Sequence, residues 1–252
     1  MKIATWNVNS LTARWPRVSA WLAETQTDVV LIQETKQTDA KFPFAELAAL
    51  GYESAHYGQG QWNGVAIFSR VGLDNVVTGL GSDEETRCIR ATCGGVRVYS
   101  CYVPNGRSLD NPHYTYKLGW LGDLRDELAQ RDPQQPIVVG GDFNVALEDV
   151  DVYDVSAFDG ATHVSAPERE AIRGILDTGL VDLARQQQPE GTAYTWWDYR
   201  NGAFRRGWGL RIDYLFSDVA TAARATEVAV DRAARKGEKP SDHAPVVVTL
   251  SE

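Results

Sequence analysis

The sequence has no stretch of about 18 consecutive apolar residues, which excludes an ordinary membrane-spanning helix. Its start, Met1-Lys2-Ile3-Ala4-Thr5-Trp6, lacks the long apolar segment of a secretory signal, so a cytoplasmic protein with no membrane partner is expected. Cysteine is scarce: Cys88, Cys93 and Cys101 are odd in number and lack the close paired spacing of a zinc site. They read as buried thiols in a reducing compartment. No linker, low-complexity tract or long charge run divides the 252 residues, and one domain spanning 1–252, acting as a monomer, is the economical expectation. Positive charge is also short; the net charge of −9 disfavours a generic nucleic-acid coat protein. That objection weakens if Glu34, Asp142, Asp213 and Asp242 gather at one metal-dependent site, because part of the excess is then local. Arg200, Arg205, Arg206 and Arg211 form a basic cluster in the sequence beside one candidate strand end.

What is present is organised around Ile137-Val138-Val139-Gly140-Gly141-Asp142-Phe143-Asn144. An apolar run followed by two glycines reads as a buried strand that stops abruptly and delivers Asp142 and Asn144 at its end. Three other stretches repeat the arrangement: Ile3-Ala4-Thr5-Trp6-Asn7, Val29-Val30-Leu31-Ile32-Gln33-Glu34 and Leu210-Arg211-Ile212-Asp213. Ser241-Asp242-His243 instead precedes a strand.

Along the chain, strands are expected at 2–8, 28–33, 52–57 and 64–69, with helices at 14–24 and 42–50. Residues 70–110 read as β throughout, with a hairpin of 87–93 and 96–103 joined by Gly94-Gly95. Helices follow at 114–130 and 168–178, separated by a long irregular segment, 147–166. An aromatic strand at 191–199, a polar loop at 200–209 and strands at 210–216, 226–231 and 245–250 complete the expectation. Strands outnumber helices, and helices fall between pairs of strands in each half. Two mainly antiparallel sheets packed face to face with helices outside, an α/β sandwich, are therefore expected.

The candidate site offers carboxylates, amides and one imidazole, without a thiolate or a second histidine nearby. Oxygen ligation favours Mg²⁺ or Mn²⁺ over zinc, and such ions commonly serve phosphate chemistry. Asp213 is a candidate partner for His243, fixing its tautomer and favouring its charged form. An imidazolium facing a phosphate would stabilise charge that grows in the transition state.

Six motifs in order, Thr5-Trp6-Asn7-Val8-Asn9-Ser10, Gln33-Glu34-Thr35-Lys36, Tyr102-Val103-Pro104-Asn105-Gly106, Gly141-Asp142-Phe143-Asn144-Val145, Gly209-Leu210-Arg211-Ile212-Asp213 and Ser241-Asp242-His243-Ala244-Pro245, cover nearly the whole chain. This set resembles that of the exonuclease III family of apurinic/apyrimidinic endonucleases. The resemblance implies the four-layer α/β sandwich of the wider endonuclease, exonuclease and phosphatase superfamily. It also implies a Mg²⁺-dependent repair enzyme that cleaves the DNA backbone 5′ to abasic sites, with 3′-to-5′ exonuclease and 3′-end-cleaning activity. Its partner would be double-stranded DNA with abasic sites or blocked 3′ ends. Glu34 and Asn7, with Asp242 near a second position, would hold metal; Asp142 would handle the attacking water and Asn144 would hold it. His243, oriented by Asp213, would contact the scissile phosphate, and Tyr102 the phosphate or leaving oxygen.

DNA contacts are expected from Asn105, Arg107, Trp196, Leu210 and Ile212, the last three resembling apolar walls that receive a baseless sugar. One of Trp196 and Trp197 should pack inside the fold. Two departures stand out: Trp208 occupies the place where relatives commonly carry arginine, and is expected to stack against DNA, and 147–155 is rich in Asp and Val rather than basic. The alternatives are a non-specific nuclease or an inositol-phosphate phosphatase of the same superfamily, or an inactive DNA-binding relative.

Overall fold

A computed structural model of the chain describes residues 1–191 and 193–251. Among them the apolar runs form two six-stranded mixed sheets. The first contains β1 (Lys2–Asn7), β2 (Val29–Gln33), β3 (Glu53–Tyr57), β4 (Val65–Ser69), β11 (Ala225–Val230) and β12 (Val246–Leu250), in the order β11-β12-β1-β2-β4-β3. The second contains β5 (Asp74–Thr78), β6 (Cys88–Cys93), β7 (Val96–Tyr102), β8 (Ile137–Asp142), β9 (Leu180–Asp182) and β10 (Asp213–Asp218), in the order β5-β6-β7-β8-β10-β9. Each has one parallel pair, β1 with β2 and β7 with β8; the other pairings are antiparallel. The α/β sandwich expected from the pattern is what forms.

Strand alternation sorts the core into layers. In β2, Val29 and Leu31 face the second sheet, where they meet Val98, Val138 and Leu215, whereas Val30 and Ile32 pack under α1 (Leu11–Thr25) and α2 (Phe44–Ala49). Val139 of β8 packs under α3 (Pro112–Ala129) and α4 (Ala166–Leu176). Both faces are covered, which is why these strands read as continuous apolar runs. Three shorter helices, α5 (Leu183–Gln187), α6 (Ala203–Arg206) and α7 (Val219–Ala223), lie in connections.

The two glycines of β8 have a packing reason. A Cβ on Gly140 would stand 2.6 Å from Leu31 Cδ1, and one on Gly141 only 1.9 Å from the Cys101 carbonyl oxygen. The absence of side chains there lets the neighbouring chains approach this closely, just before Asp142.

Helices start where caps permit. Ser10 caps α1 and Asn111 caps α3, while Ser165 and Glu168 form a capping box on α4.

The segment 191–199 departs from expectation. Thr192 lies outside the described residues, and the rest forms no regular strand: Trp196 makes single bridges to Leu210 and His243. Likewise β10 begins at Asp213 rather than at 210, because Leu210 pairs with both Trp196 and Val152 across an irregular crossing. The loop 200–209 contains the 3₁₀ turn Arg200–Gly202 and then α6. Trp197 is the inward tryptophan, fully buried, while Trp196 is partly exposed. All three cysteines are buried free thiols, as expected.

Candidate active site

The carboxylate-bearing strand ends converge on one rim of the sandwich. A cleft of about 170 Å³ is lined by Glu34, Tyr102, Asn105, Asp142, Asn144, His163, Trp196, Leu210, Ile212, Asp242 and His243. Asn7 joins the sheets beside it, its Nδ2 donating to Glu34 Oε1 at 2.8 Å and to Asp142 Oδ2 at 2.9 Å. Glu34 adopts a left-handed conformation at φ 54°, uncommon for this residue type, and so turns out of the line of β2. Ser10 N–H holds the Glu34 carbonyl at 2.7 Å, and Lys36 Nζ pairs with Glu34 Oε2 at 2.7 Å. Asn144 is also left-handed, at φ 53°; its N–H donates to Asp142 Oδ1 at 2.9 Å. Backbone strain of this kind gathers at sites whose geometry the surroundings over-determine.

On the opposite side, His243 Nδ1 lies 2.9 Å from Asp213 Oδ2, and Nε2 lies 3.7 Å from Asp142 Oδ2. Burial alone would keep the ring neutral, yet Asp213 and Asp142 override it and raise the imidazole to about 10. Burial pushes Asp142 up to about 7 against the pull of the His243 charge, with Asp213 and Glu34 adding to the rise. The Tyr102 phenol is raised by burial and by the charges of Glu34 and Asp142, so it remains a proton donor; the Arg87 guanidinium lies 4.9 Å over its ring. Asp242 is held by Asn9 Nδ2 at 3.0 Å and by Trp196 Nε1 at 3.1 Å.

Ligand atoms of Glu34, Asp142 and His243 lie within 4.8 Å of one another. Asp213 holds His243 Nδ1, and the raised imidazole favours the cationic form, which offers a cation no lone pair; Glu34, Asp142 and Asn7 supply oxygen donors. An oxygen set with surplus negative charge fits a hard divalent ion. Asp242 falls outside this group.

Of the expected DNA contacts, Asn105 is exposed and donates to Asn144 Oδ1 at 3.1 Å, and Trp196, Leu210 and Ile212 form the cleft wall. Arg107 and Trp208 do not line it. Arg107 is exposed two residues beyond Asn105, and Trp208 stacks on Tyr153 at 5.7 Å with Arg206 4.5 Å over its ring. The expected basic cluster loses a member: Arg211 is buried and bonds Asp151 at 2.7 Å and Asp182 at 2.6 Å, binding loop to sheet. Arg200 pairs with Asp198.

These findings give the rim a recognisable relation. Residues 4–243 match the Endonuclease/Exonuclease/phosphatase family. The chain belongs to that family. It is 31% identical to exodeoxyribonuclease III of Haemophilus influenzae, covering 98% of both chains. The 3′-5′ exonuclease NExo from Neisseria meningitidis is 42% identical with a TM-score of 0.98, both chains fully covered. NExo, there called a 3′ phosphatase, is also solved with a product DNA hairpin, at the same identity and coverage and a TM-score of 0.95. An AP endonuclease from Archaeoglobus fulgidus is 38% identical with a TM-score of 0.97, again with full coverage of both. As an Endonuclease/Exonuclease/phosphatase family member related to exonuclease III, the chain is a phosphodiester hydrolase.

Three site features escaped the sequence reading. His163 enters the cleft from 147–166, with Nδ1 2.5 Å from the Asn144 carbonyl oxygen. Burial, aided by the Lys117 charge, lowers its ring to about 4, so it is neutral and donates from Nδ1. Trp62, 65% exposed, borders the Glu34 loop through Asn63, whose carbonyl accepts from Lys36 N–H. An aromatic residue in the glycine-rich turn 58–64 was the available signal. Lys117 and Glu168 form a fully buried ion pair beneath the cleft; nothing in a helical pattern marks such a lysine.

Proposed function

We propose that residues 1–252 form one catalytic domain that hydrolyses DNA phosphodiesters with Mg²⁺ (or Mn²⁺), cleaving 5′ to abasic sites and removing nucleotides and phosphates from 3′ ends. The observation that carries this reading is the meeting of Glu34, Asp142 and His243 within 4.8 Å at one rim of two sheets, with Asp213 on the imidazole's other nitrogen. Glu34 and Asn7 would hold the ion, with Asp242 available for a second. When bound, the cation supplies neutralisation of phosphate charge and polarisation of the ester.

The chain's own groups supply the rest. Asp142, its carboxyl near neutrality, takes a proton from the attacking water, and the Asn144 amide fixes that water. His243, oriented through Nδ1 by Asp213, presents Nε2–H to a non-bridging phosphate oxygen. The Tyr102 hydroxyl donates to the phosphate or to the departing 3′ oxygen. Trp196, Leu210 and Ile212 form an apolar wall suited to a sugar without its base, Asn105 meets the strand within the cleft, and Arg107 and Trp208 meet it outside. The similarity to NExo, a 3′-5′ exonuclease and 3′ phosphatase by name, supports a second reading in which 3′-end removal predominates. The small volume of the cleft is compatible with both.

The test uses three duplexes with Mg²⁺: one with an internal tetrahydrofuran residue, one with a recessed 3′ hydroxyl and one with a 3′ phosphate. Turnover of all three supports the first reading, and turnover of only the last two the second. Hydrolysis of an inositol phosphate with none of the three removes both.

A further inference from the structure

Lys117 is a lysine with no exposure that does not line the cleft. Its ammonium donates to the Asn144 carbonyl at 2.7 Å, to Glu168 Oε1 at 2.5 Å and to the Asn105 carbonyl at 3.4 Å. An ammonium has three protons, and these are three acceptors on three separate segments. Glu168 extends the grip, accepting from Thr162 Oγ1 at 2.6 Å, His163 N–H at 3.0 Å, Ser165 Oγ at 2.6 Å and Ser165 N–H at 3.1 Å. One buried pair on α3 and α4 thus fastens the loop after β7, the loop after β8 and the end of 147–166.

The fastening matters because of Asn144. Its left-handed backbone aims its carbonyl inward, while its side chain donates to the Val103 carbonyl at 3.0 Å and accepts from Asn105 at 3.1 Å. The two amides therefore move together, and Lys117 holds the backbone beneath both. A buried ion pair is weak evidence for stability alone, since desolvation offsets much of the attraction.

We propose that the Lys117–Glu168 pair is a positioning device that sets the Asn144 and Asn105 amides for the reaction, an inference that rests on the phosphodiesterase reading above. Neither residue contacts substrate in this account. Misplacement of a reacting group by about 1 Å costs roughly 100-fold in rate.

The test replaces both charges at once, Lys117→Met with Glu168→Gln, so that no buried charge is stranded. On a duplex with a recessed 3′ end, kcat should fall about 10- to 100-fold with KM changed less than about threefold. Mg²⁺ affinity by calorimetry should be unchanged, because neither Lys117 nor Glu168 makes a hydrogen bond to Glu34, Asn7 or Asp142. In an Asn144→Ala background, single-turnover rates should fall less than about threefold further on removing the pair, since its effect passes through Asn144. Wild-type kcat in the double variant, or full multiplication of the two losses, overturns the proposal. If the double variant does not fold, Lys117→Gln with Glu168→Gln, in which a shorter uncharged side chain replaces the ammonium beneath Asn144, goes through the same cycle under the same criteria. An inactive wild-type protein would instead strike the functional reading.

Discussion

Asp213 Oδ2 receives two groups at once, His243 Nδ1 at 2.9 Å and the Thr195 hydroxyl at 2.6 Å. The carboxylate is therefore fixed before it fixes the imidazole, and the ring's Nε2 is left to face Asp142 and the cleft. The charge on His243 depends on this contact, together with Asp142 and Asp242, against burial.

Asp213→Asn should move the alkaline limb of the kcat/KM profile to lower pH by at least one unit. The wild-type ring is raised to about 10 from its ordinary 6.5 and stays cationic through neutrality, whereas the variant ring loses its proton earlier. The same sign governs stability: the contribution is complete below pH 6.5 and lost as pH rises through about 10. An alkaline limb that does not move would show that Asp213 does not hold the charge.

Asp142→Asn keeps the shape of the site and removes the proton acceptor. We expect kcat to drop by about 10²–10⁴-fold, measured by single turnover, with duplex binding retained. Activity within tenfold of wild type would assign the water's proton to another group.

Chelation should abolish turnover and added Mg²⁺ restore it. Glu34→Gln should raise the Mg²⁺ concentration for half-maximal rate at least about tenfold, equivalent to roughly 1.4 kcal/mol. Unaltered metal dependence would place the ion elsewhere.

Arg211 is a structural cation, and its loss should be read in stability rather than in DNA affinity. Arg211→Met removes the cation shared by buried Asp151, which keeps Arg185, and Asp182, at a cost of about 3–5 kcal/mol. Thermal unfolding should show a Tm lower by at least ~6 °C. A variant with normal Tm but weakened DNA binding would reverse this assignment.

Trp62 stands exposed beside the Glu34 loop. If it stacks on DNA, Trp62→Ala should raise KM for duplex by about 5- to 150-fold, in line with roughly 1–3 kcal/mol per stacked base. The salt dependence should not change, because no charge is lost. An unchanged KM would make it a solvated side chain.

Much of the architecture was legible because strand burial leaves a local trace. The strands 29–33 and 137–142 are buried throughout, so 29–32 and 137–139 are apolar on both faces, and Ser165 with Glu168 announces α4. The stretch 191–199 was misleading for the same reason: alternating aromatic residues look like a strand, but among its described residues only Trp196 finds bridge partners, at Leu210 and His243.

The sequence by itself determined which residues reach the rim, since Asn7, Glu34, Asp142 and Asp213 each stand at or beside the end of an apolar run where a sheet must stop. Only the tertiary structure decided their partners. That Asn7 reaches Asp142 across 135 positions, that Arg211 turns inward to Asp151 and Asp182, and that Lys117 lies beneath Asn144 follow from the stacking of two sheets and their helices. Local periodicity records whether a side chain is buried; it holds no record of which distant atom will be waiting there.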